Sequence, residues 1–317
     1  MKMRTVIVGC GNIGVKRINA INNIPEIEIV GLVEVDKEQK QYLLDNYNYP
    51  VTTNYQQYLS DRSINAFIVS ATTHPSLKII EDALNAGKHV LCEKPLGDEI
   101  SQTKKITDLA NEKSLILHIG FNIRYDAGLL KAKSLIEAGK IGKPYFFKCS
   151  YVNGSVMTNN NKVGALLDMG IHNLYLTKMF MGEFEPVASA IQSFEYEVKD
   201  KDDNGFVFLK SNSMIGGIHF SLVRWKNDFR LEVTGSKGSV IVKSLTKWGT
   251  QTTIHHERVY PSGVPIETKY EYNGDNTWEL ECRNFYNRVA DNDLSKNNEA
   301  LEIMKIAIII KETSLTQ

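Results

Sequence analysis

Short apolar runs and helical patterns alternate along the first third of the chain. Runs that are almost wholly apolar are typical of parallel strands covered on both faces. The pattern predicts strands over residues 4–8, 27–33, 66–70, 89–92 and 115–120, separated by helices over 15–22, 37–46, 77–86 and 100–112. Strands that alternate with helices at this spacing indicate an α/β fold with a doubly wound parallel sheet.

Beyond about residue 120, strand-like runs dominate. They cover 145–152, 187–198, 205–211, 214–224, 229–235, 239–244 and 252–259, and helices are predicted only over 125–137, 165–181, 278–288 and 299–313. Short turn signals between the runs indicate hairpins, so we expect an α+β domain with a large, mostly antiparallel open sheet. The predicted domains are 1–121 and 122–317, and a C-terminal helix is a candidate to pack back on the first domain.

The length and composition are those of an ordinary globular protein, and the charge balance does not indicate a strongly charged partner. Its 317 residues suffice for two domains, and 37 basic residues balance 37 acidic ones. This balance favours neither nucleic acid nor an anionic membrane as a partner. The four cysteines have no zinc-binding spacing and favour a reducing compartment. With no visible signal peptide or membrane-length apolar run, we expect a cytoplasmic protein without a metal.

A glycine motif follows the first predicted strand and opens the first predicted helix. Its residues are Gly9-Cys10-Gly11-Asn12-Ile13-Gly14. In this context the glycines permit a tight turn and close approach of the backbone to a pyrophosphate, as in Rossmann domains. Glu34 ends the second strand, where a carboxylate accepts hydrogen bonds from an adenosine ribose. Its charge favours NAD over NADP, although Lys37 lies close enough along the chain to soften that preference.

The stretch from Ala86 to Leu96 is predicted to place a cation at the end of a buried strand. Gly87 ends a helix, and residues 89–92 form the strand. Pro95 then restricts Lys94 to an extended conformation. Open α/β sheets bind ligands at the carboxyl ends of their strands, so Lys94 is a candidate catalytic residue. A surface lysine beside a loop proline is the alternative.

Asp168 and His172 lie four residues apart on one predicted helix. This spacing projects both side chains from one face. A carboxylate beside an imidazole orients the ring and supports a general base. A purely structural pair at the helix surface is the other interpretation. No third ligand at suitable spacing supports a metal.

These motifs together resemble the glucose-fructose oxidoreductase, inositol dehydrogenase and rhizopine-catabolism (Gfo/Idh/MocA) family of two-domain sugar dehydrogenases. The resemblance covers nearly the whole chain. It is carried by Gly9-Cys10-Gly11-Asn12-Ile13-Gly14, Ala71-Thr72, Ala86-Gly87-Lys88-His89-Val90-Leu91-Cys92-Glu93-Lys94-Pro95, Gly120-Phe121-Asn122-Ile123-Arg124-Tyr125 and Asp168-Met169-Gly170-Ile171-His172. Glu93-Lys94-Pro95 is the most specific mark, and it implies a cis-proline turn.

The resemblance implies roles for individual residues. Lys94 contacts the reacting hydroxyl, His172 accepts or donates its proton, and Asp168 supports His172. The expected cofactor-binding residues are Gly9, Gly11, Asn12, Ile13, Gly14, Glu34, Ala71, Thr72, His74, Glu93 and Lys94. The expected substrate-binding residues are Lys94, Arg124, Tyr125, Asp168 and His172.

Two departures from the family pattern concern the substrate. Thr73-His74 stands where the family usually has Pro-Asn, and Tyr175 stands where an acid is often found. His74 is a candidate to contact nicotinamide or substrate, or alternatively to cap a helix. Arg124 and Tyr125 are candidates to order a substrate cleft, or alternatively to tie a helix to a sheet.

The expected reaction is hydride transfer between a nicotinamide cofactor and a secondary hydroxyl or carbonyl of a sugar, polyol, sugar phosphate or nucleotide sugar. Two other function classes stay open: an NAD-dependent glycosidase that uses transient oxidation, and a non-catalytic dinucleotide-binding sensor. Apolar residues on both faces of the second sheet further predict a homodimer or homotetramer formed through that sheet.

Overall fold

The computed structural model describes residues 2–157, 163–195 and 201–314. Its chain divides into two compact units. The first comprises Met1–Asn122 and Asn276–Glu302, and the second comprises Ile123–Asp275 and Ile303–Gln317. Each unit is described separately below.

The regular elements alternate in the first unit and are mainly strands in the second. Strands β1–β14 cover Met3–Val8, Ile27–Val33, Val51–Thr52, Ala66–Val69, His89–Glu93, Leu117–Gly120, Pro144–Val152, Glu185–Gln192, Asn204–Lys210, Ile215–Ser221, Asp228–Gly235, Gly238–Lys243, Gln251–Val259 and Gly263–Tyr272. Helices α1–α8 cover Asn12–Ile21, Lys37–Asn46, Thr73–Asn85, Ile100–Glu112, Ala127–Glu137, Ile171–Met181, Thr277–Ala290 and Glu299–Glu312.

The first unit contains a six-stranded parallel sheet in the order β3-β2-β1-β4-β5-β6. Every residue of β4 is buried, as its apolar sequence predicts for a strand covered on both faces. On one side, α1 packs against α7, and Ile18, Ile21 and Phe285 join the sheet residues in one core. Residues 276–302 therefore complete the first unit although they come late in the chain.

The second unit contains an eight-stranded sheet in the order β14-β13-β12-β11-β7-β10-β9-β8. Its neighbouring strands are antiparallel except β7 and β10, which are parallel. Helix α6 packs on β7 and β10, and α5 packs on β12 and β13. The predicted fold class, a Rossmann-type sheet followed by a mostly antiparallel open sheet, is confirmed.

The two faces of the second sheet differ in burial, and the outer face carries an apolar group on β9 and β10 beside polar residues of β7 and β11. On the helix-covered face, Val207 and Ile218 are fully buried. On the opposite face, Phe206 and Phe208 pack edge to face with ring centroids 5.3 Å apart. Phe208 is 59% exposed and Ile215 is 65% exposed. This apolar outer face is a feature that monomeric proteins usually avoid.

Four elements differ clearly from the sequence prediction. The helix predicted over 165–181 begins with a π-helical turn over Leu166–Gly170 before α6. Neither the two-residue strand β3 nor β14 was predicted. Nearly all of β14 is exposed, but Ile266, Thr268 and Tyr270 alternate with Glu267, Lys269 and Glu271, a strand pattern that the sequence prediction missed. Strand β8 ends at Gln192; residues 196–200 of the predicted run lie outside the described residues.

Among the helices of the described residues, none combines the length and the apolar character that crossing a bilayer requires.

Candidate active site

Four strands of the first unit end side by side and bring the predicted cofactor residues to one edge of the sheet. In the strand register, Val8 is paired with both Val33 and Val69, and Val69 is paired with Cys92. Gly9, Glu34, Ser70 and Glu93 are the next residues along their strands. The carboxyl edge of a parallel sheet is where such folds bind their ligands.

The glycine loop after β1 has room only for glycine at two of its positions. Gly9 has φ +81°, and a Cβ there would lie 2.4 Å from the amide nitrogen of Ala71. At Gly14, a Cβ would lie 2.2 Å from the carbonyl oxygen of Gly9. Gly11, by contrast, faces open space and precedes the first turn of α1. With Asn12 and Ile13 opening that helix, the loop fits the pyrophosphate of a dinucleotide at a helix N-terminus.

Glu34 is a buried carboxylate held by backbone amides. Its Oε2 accepts a hydrogen bond from the Cys10 amide at 2.8 Å. Its Oε1 accepts bonds from the amides of Val35 at 2.7 Å and Asp36 at 2.9 Å. These bonds fix the carboxylate beside the glycine loop. An ionised carboxylate has about four acceptor positions, so capacity remains for ribose hydroxyls.

Ala71 and Thr72 lie between β4 and α3 at the same edge, and Thr72 is the N-cap of α3. The Ala71 carbonyl accepts a hydrogen bond from the Ser76 hydroxyl at 2.9 Å, which fixes the turn. His74 lies in the first turn of α3 with a side chain that is 65% exposed. Its Nε2 is 3.7 Å from Oδ2 of Asp98, so its nearest acid lies in the loop after Glu93-Lys94-Pro95.

Glu93 is the last residue of β5 and Lys94 follows it; the peptide bond from Lys94 to Pro95 is cis, as the resemblance implied. The Glu93 carboxylate is bound by Arg17 of α1, whose Nη2 lies 2.6 Å from Oε1 of Glu93. Burial raises the pKa of Glu93, while the positive charges of Arg17 and Lys94 oppose that rise. Lys94 is partly exposed at the edge that carries the glycine loop.

Arg17 is fully buried and joins two carboxylates. Its Nη1 lies 2.6 Å from Oε2 of Glu281 on α7, and the Trp278 ring covers the guanidinium at 4.7 Å. Burial alone would lower the pKa of Arg17, but the carboxylates of Glu281 and Glu93 outweigh it and raise the pKa. The segment that bears Lys94 is thus connected through Glu93 to the buried centre of the first unit.

In the second unit, Asp168 lies in the π-helical turn and His172 in the first turn of α6. Such π-helical turns often occur at functional sites. His172 is buried, whereas Asp168 is partly exposed. The α-helix predicted to carry both residues is therefore continuous only from Ile171 onward.

Asn173 fixes α6 on the sheet. It is fully buried, and its Nδ2 donates hydrogen bonds to the carbonyls of Cys149 on β7 and His219 on β10, at 3.3 and 3.2 Å. Because these strands are the parallel pair, one side chain connects the helix to both of them. The neighbouring His172 is thereby held at a fixed position over β7.

The ring of His172 packs against Tyr151, with centroids 5.6 Å apart. The Tyr151 hydroxyl accepts a hydrogen bond from Nζ of Lys247 at 2.6 Å. The Trp248 ring lies 5.7 Å from the same tyrosine ring. We call Tyr151, His172, Lys247 and Trp248 the Tyr151 cluster.

Arg124 and Tyr125 also belong to the second unit. The buried Arg124 guanidinium lies 4.1 Å above the ring of Tyr175 and 5.7 Å from that of Tyr125. Arg124 therefore stacks on the residue that replaces the acid often found in the family. Next along the chain, Asp126 accepts hydrogen bonds from the amide and hydroxyl of Thr246, at 3.1 and 3.0 Å.

Comparison with known proteins agrees with both units. Residues 3–121 match the model of the Gfo/Idh/MocA oxidoreductase family, described as an NAD-binding Rossmann fold, and residues 129–241 match a C-terminal domain model of the same family. The chain belongs to the Gfo/Idh/MocA oxidoreductase family. The resemblance inferred from the motifs is confirmed.

The similar proteins extend over most of the chain. Inositol 2-dehydrogenase of Salmonella typhimurium is 22% identical over 91% of this chain and 86% of its own length. The solved structure of levoglucosan dehydrogenase in complex with NADH has a TM-score of 0.87 at 18% identity, covering 99% of this chain and 97% of that one. A 3-ketoreductase from Actinomadura kijaniata, solved with NADP and TDP-benzene, has a TM-score of 0.84 at 18% identity, covering 99% and 98%. At such identities these structures show the shared fold.

As a Gfo/Idh/MocA protein, the chain is an NAD(P)-dependent dehydrogenase or reductase, which confirms the predicted enzyme class. The structure brings the glycine loop, Glu34, Ala71, Thr72 and Lys94 to one sheet edge of the first unit. It places Asp168, His172, Arg124 and Tyr125 in the second unit, around α6 and the segment before α5.

Sequence reasoning did not single out Tyr151, Asn173, Lys247 or Trp248. Tyr151 is one of several apolar residues of a predicted strand, and Lys247-Trp248 lies in a turn without a motif. Asn173 alone carries a sequence signal: an amide within an apolar helix is buried only when it is hydrogen-bonded.

Proposed function

We propose that this protein transfers a hydride between a nicotinamide cofactor and a secondary hydroxyl or carbonyl group of a sugar, polyol, sugar phosphate or nucleotide sugar. Family membership supports the redox chemistry. The relatives named inositol dehydrogenase, 3-ketoreductase and levoglucosan dehydrogenase support the carbohydrate-like substrate.

The position of Lys94 is the observation that carries this proposal. Lys94 follows β5, and the glycine loop follows β1 at the same edge of one sheet. An ammonium group at this edge lies where a doubly wound sheet holds its ligand. A lysine that served only the surface would not require the buried Arg17–Glu93 pair directly before it.

The proposed roles divide the chemistry between a cation and a base. When bound, the cofactor accepts or supplies the hydride. Lys94 stabilises negative charge on the substrate oxygen, as donors in oxyanion holes do. His172 removes the hydroxyl proton in oxidation and returns it in reduction, and Asp168 supports the imidazole. Arg124 and Tyr125 orient the substrate.

His172 is suited to this role by its surroundings. The ring is buried against Tyr151, and the adjacent Asn173 anchors its helix to two strands. A general base is effective when its position relative to the proton is fixed. The fixed imidazole of His172 meets this requirement.

We propose NAD rather than NADP as the preferred cofactor. The support is Glu34, whose carboxylate is fixed beside the glycine loop by amides of Cys10, Val35 and Asp36. A ribose 2′-phosphate next to this carboxylate would be repelled, and like-charge juxtaposition costs several kcal/mol.

We also propose a cytoplasmic homodimer or homotetramer assembled through the second sheet. The support for assembly is the exposed apolar outer face that includes Phe206, Phe208 and Ile215. The four cysteines are all buried as free thiols, which accords with a reducing compartment.

A substrate panel tests the reaction. The protein is incubated with NAD⁺ and alcohols, or with NADH and the corresponding carbonyl compounds, and the nicotinamide absorbance is followed. Net change of the cofactor supports the dehydrogenase. Cleavage of glycosides without net change would support the glycosidase instead, and ligand binding with neither reaction would support the sensor.

A further inference from the structure

Near His172, the second unit contains a lysine and two aromatic side chains that have no role in the hydride and proton transfer proposed above. It consists of Lys247 and Trp248, in the turn between β12 and β13, with Tyr151 of β7 behind them. The turn is firmly anchored. The Asp126 carboxylate binds the amide and the hydroxyl of Thr246, which precedes Lys247.

Among the described residues, the Lys247 ammonium contacts a hydroxyl and two aromatic rings but forms no ion pair with a carboxylate. Its Nζ donates to the Tyr151 hydroxyl at 2.6 Å and lies 5.2 Å from the ring centroids of both Tyr151 and Trp248. Across the part of the chain that the structure describes, Lys247 takes part in no ion pair. Its positive charge is therefore held in place on neutral groups and is available to an anion.

Trp248 supplies a flat apolar surface next to this charge. Its side chain is only partly buried, and its ring lies 5.7 Å from that of Tyr151. Pockets for small molecules combine apolar or aromatic walls with a few fixed polar groups. The C–H face of a sugar ring is complementary to such a wall, and its charged substituent to the fixed polar group.

Tyr151 lies next to both the Lys247 ammonium and the His172 imidazole. The Tyr151 ring contacts His172 on one side, with centroids 5.6 Å apart, and its hydroxyl binds Lys247 at the other end. One tyrosine side chain thus separates the base from the cation. A pyranose or cyclitol bound beside Tyr151 would therefore have the base and the cation as neighbours of the same tyrosine.

We propose that Lys247 and Trp248 form a recognition site for a sugar or cyclitol that carries an anionic group, either a phosphate or a carboxylate. Trp248 packs against the ring and Lys247 binds the anion. This inference rests on the proposed function and narrows its substrate class to the derivatives that carry an anionic group.

Calorimetric titration with matched ligands in the presence of NADH tests binding directly. The neutral ligands are glucose, galactose and myo-inositol. Their anionic partners are glucose 6-phosphate and glucuronate, galactose 6-phosphate and galacturonate, and myo-inositol 1-phosphate. We expect an anionic member to bind at least about tenfold more tightly than its neutral partner, as a charge-assisted hydrogen bond provides. Comparison of the sugar phosphates with the sugar carboxylates shows which of the two anionic groups the site prefers.

Variants assign the effect to the two residues. Lys247→Met should abolish the tighter binding of the anionic ligand, and Lys247→Arg should keep most of it. Trp248→Leu should weaken the binding of both ligands of a pair. Two control variants lie elsewhere in the second unit. Lys131→Met removes another lysine that lies over a tyrosine, at 4.2 Å from the Tyr270 ring, and Trp225→Leu removes a tryptophan that is 69% exposed. Neither control should change the preference.

The proposal is overturned if no anionic ligand binds more tightly than its neutral partner, or if Lys247→Met leaves the preference intact. The proposed function fails in a different way. Tight binding of an anionic sugar through Lys247, with no change in nicotinamide absorbance in either direction, would contradict hydride transfer while upholding the recognition site.

Discussion

Arg17 and Glu93 form a buried ion pair directly beneath the segment that presents Lys94. The guanidinium Nη2 lies 2.6 Å from the carboxylate Oε1, and Nε lies 3.1 Å from the same oxygen. Arg17 comes from the helix that follows the glycine loop, and Glu93 immediately precedes Lys94. The pair therefore connects the two parts of the first unit on which the proposed chemistry depends.

We expect Arg17→Met to destabilise the protein by about 3–5 kcal/mol, because removing one partner of a buried pair leaves an uncompensated charge. Glu93 and Glu281 would both lose the guanidinium that they share. Urea unfolding of the wild type and the variant measures the difference.

Arg283→Met is the matched control. Arg283 lies on α7 and binds Glu279 at 3.2 Å, but its side chain is 38% exposed. Exposed ion pairs contribute about 0–1 kcal/mol, so this variant should remain near the wild type. Equal effects of the two substitutions would show that burial of Arg17 contributes nothing.

The fold was predictable where local sequence patterns decide it. Helix α4 coincides with its predicted bounds, and β4 follows from a short apolar run between turn signals. The π-helical turn before α6 was not predictable, because its backbone depends on contacts with the sheet rather than on residue periodicity. Strand β14, which pairs with β13, was predictable from the alternation of Ile266, Thr268 and Tyr270 with charged residues, but the prediction missed it.

Acid should destabilise the protein in part through His89, which begins β5. Its Nδ1 accepts a hydrogen bond from the Ile116 amide at 3.0 Å, and burial lowers the pKa of His89. The unfolded chain, in which the histidine pKa is about 6.5, then binds more protons than the native state. The His89 contribution is therefore complete above that pH and is lost as the pH falls below it and through the lower native pKa.

The test compares urea unfolding of the wild type and His89→Gln at about pH 7.5 and about pH 5.5. The wild type should lose more unfolding free energy over this interval than the variant does. A variant that loses as much as the wild type would show that His89 does not contribute.

Glu34 should set the cofactor preference. We expect the wild type to bind NADH at least about tenfold more tightly than NADPH, because the carboxylate repels the 2′-phosphate. Glu34→Gln removes the negative charge and should lower the ratio of NADH affinity to NADPH affinity. Fluorescence titration with both cofactors measures it, and tighter binding of NADPH by the wild type would refute the assignment.

Assembly through the second sheet should depend on its outer apolar face. Phe208→Glu places a charge beside Phe206 and should dissociate the oligomer into monomers, since burying an unpaired charge is costly. Phe194→Glu is the control, because Phe194 is 62% exposed but lies outside the strands. Light scattering at micromolar concentration reports the mass, and a monomeric wild type would end the proposal.

The parts of the candidate site that lie within one contiguous sequence motif were predictable. The glycine loop and Glu93-Lys94-Pro95 are contiguous in sequence, so their positions follow from the strands that precede them. The Tyr151 cluster is different. Tyr151, His172 and Lys247 come from a strand, a helix and a turn far apart in the chain, and only the register of the second sheet brings them together.

The most direct test of the proposed reaction is turnover by Lys94→Ala with the substrate that the panel identifies. Loss of an oxyanion donor lowers kcat by about 10²–10³-fold, and we expect a decrease of this order at saturating NADH. Lys104→Ala, which removes an exposed lysine of the same unit, should retain wild-type turnover.

His172→Ala should likewise lose general-base catalysis, by about 10²–10⁴-fold, without weakening NADH binding. The decisive measurement is nonetheless the rate of nicotinamide oxidation or reduction by Lys94→Ala relative to the wild type. The proposed function predicts near-complete loss of turnover in a folded, NADH-binding protein. Wild-type turnover in that variant would contradict it.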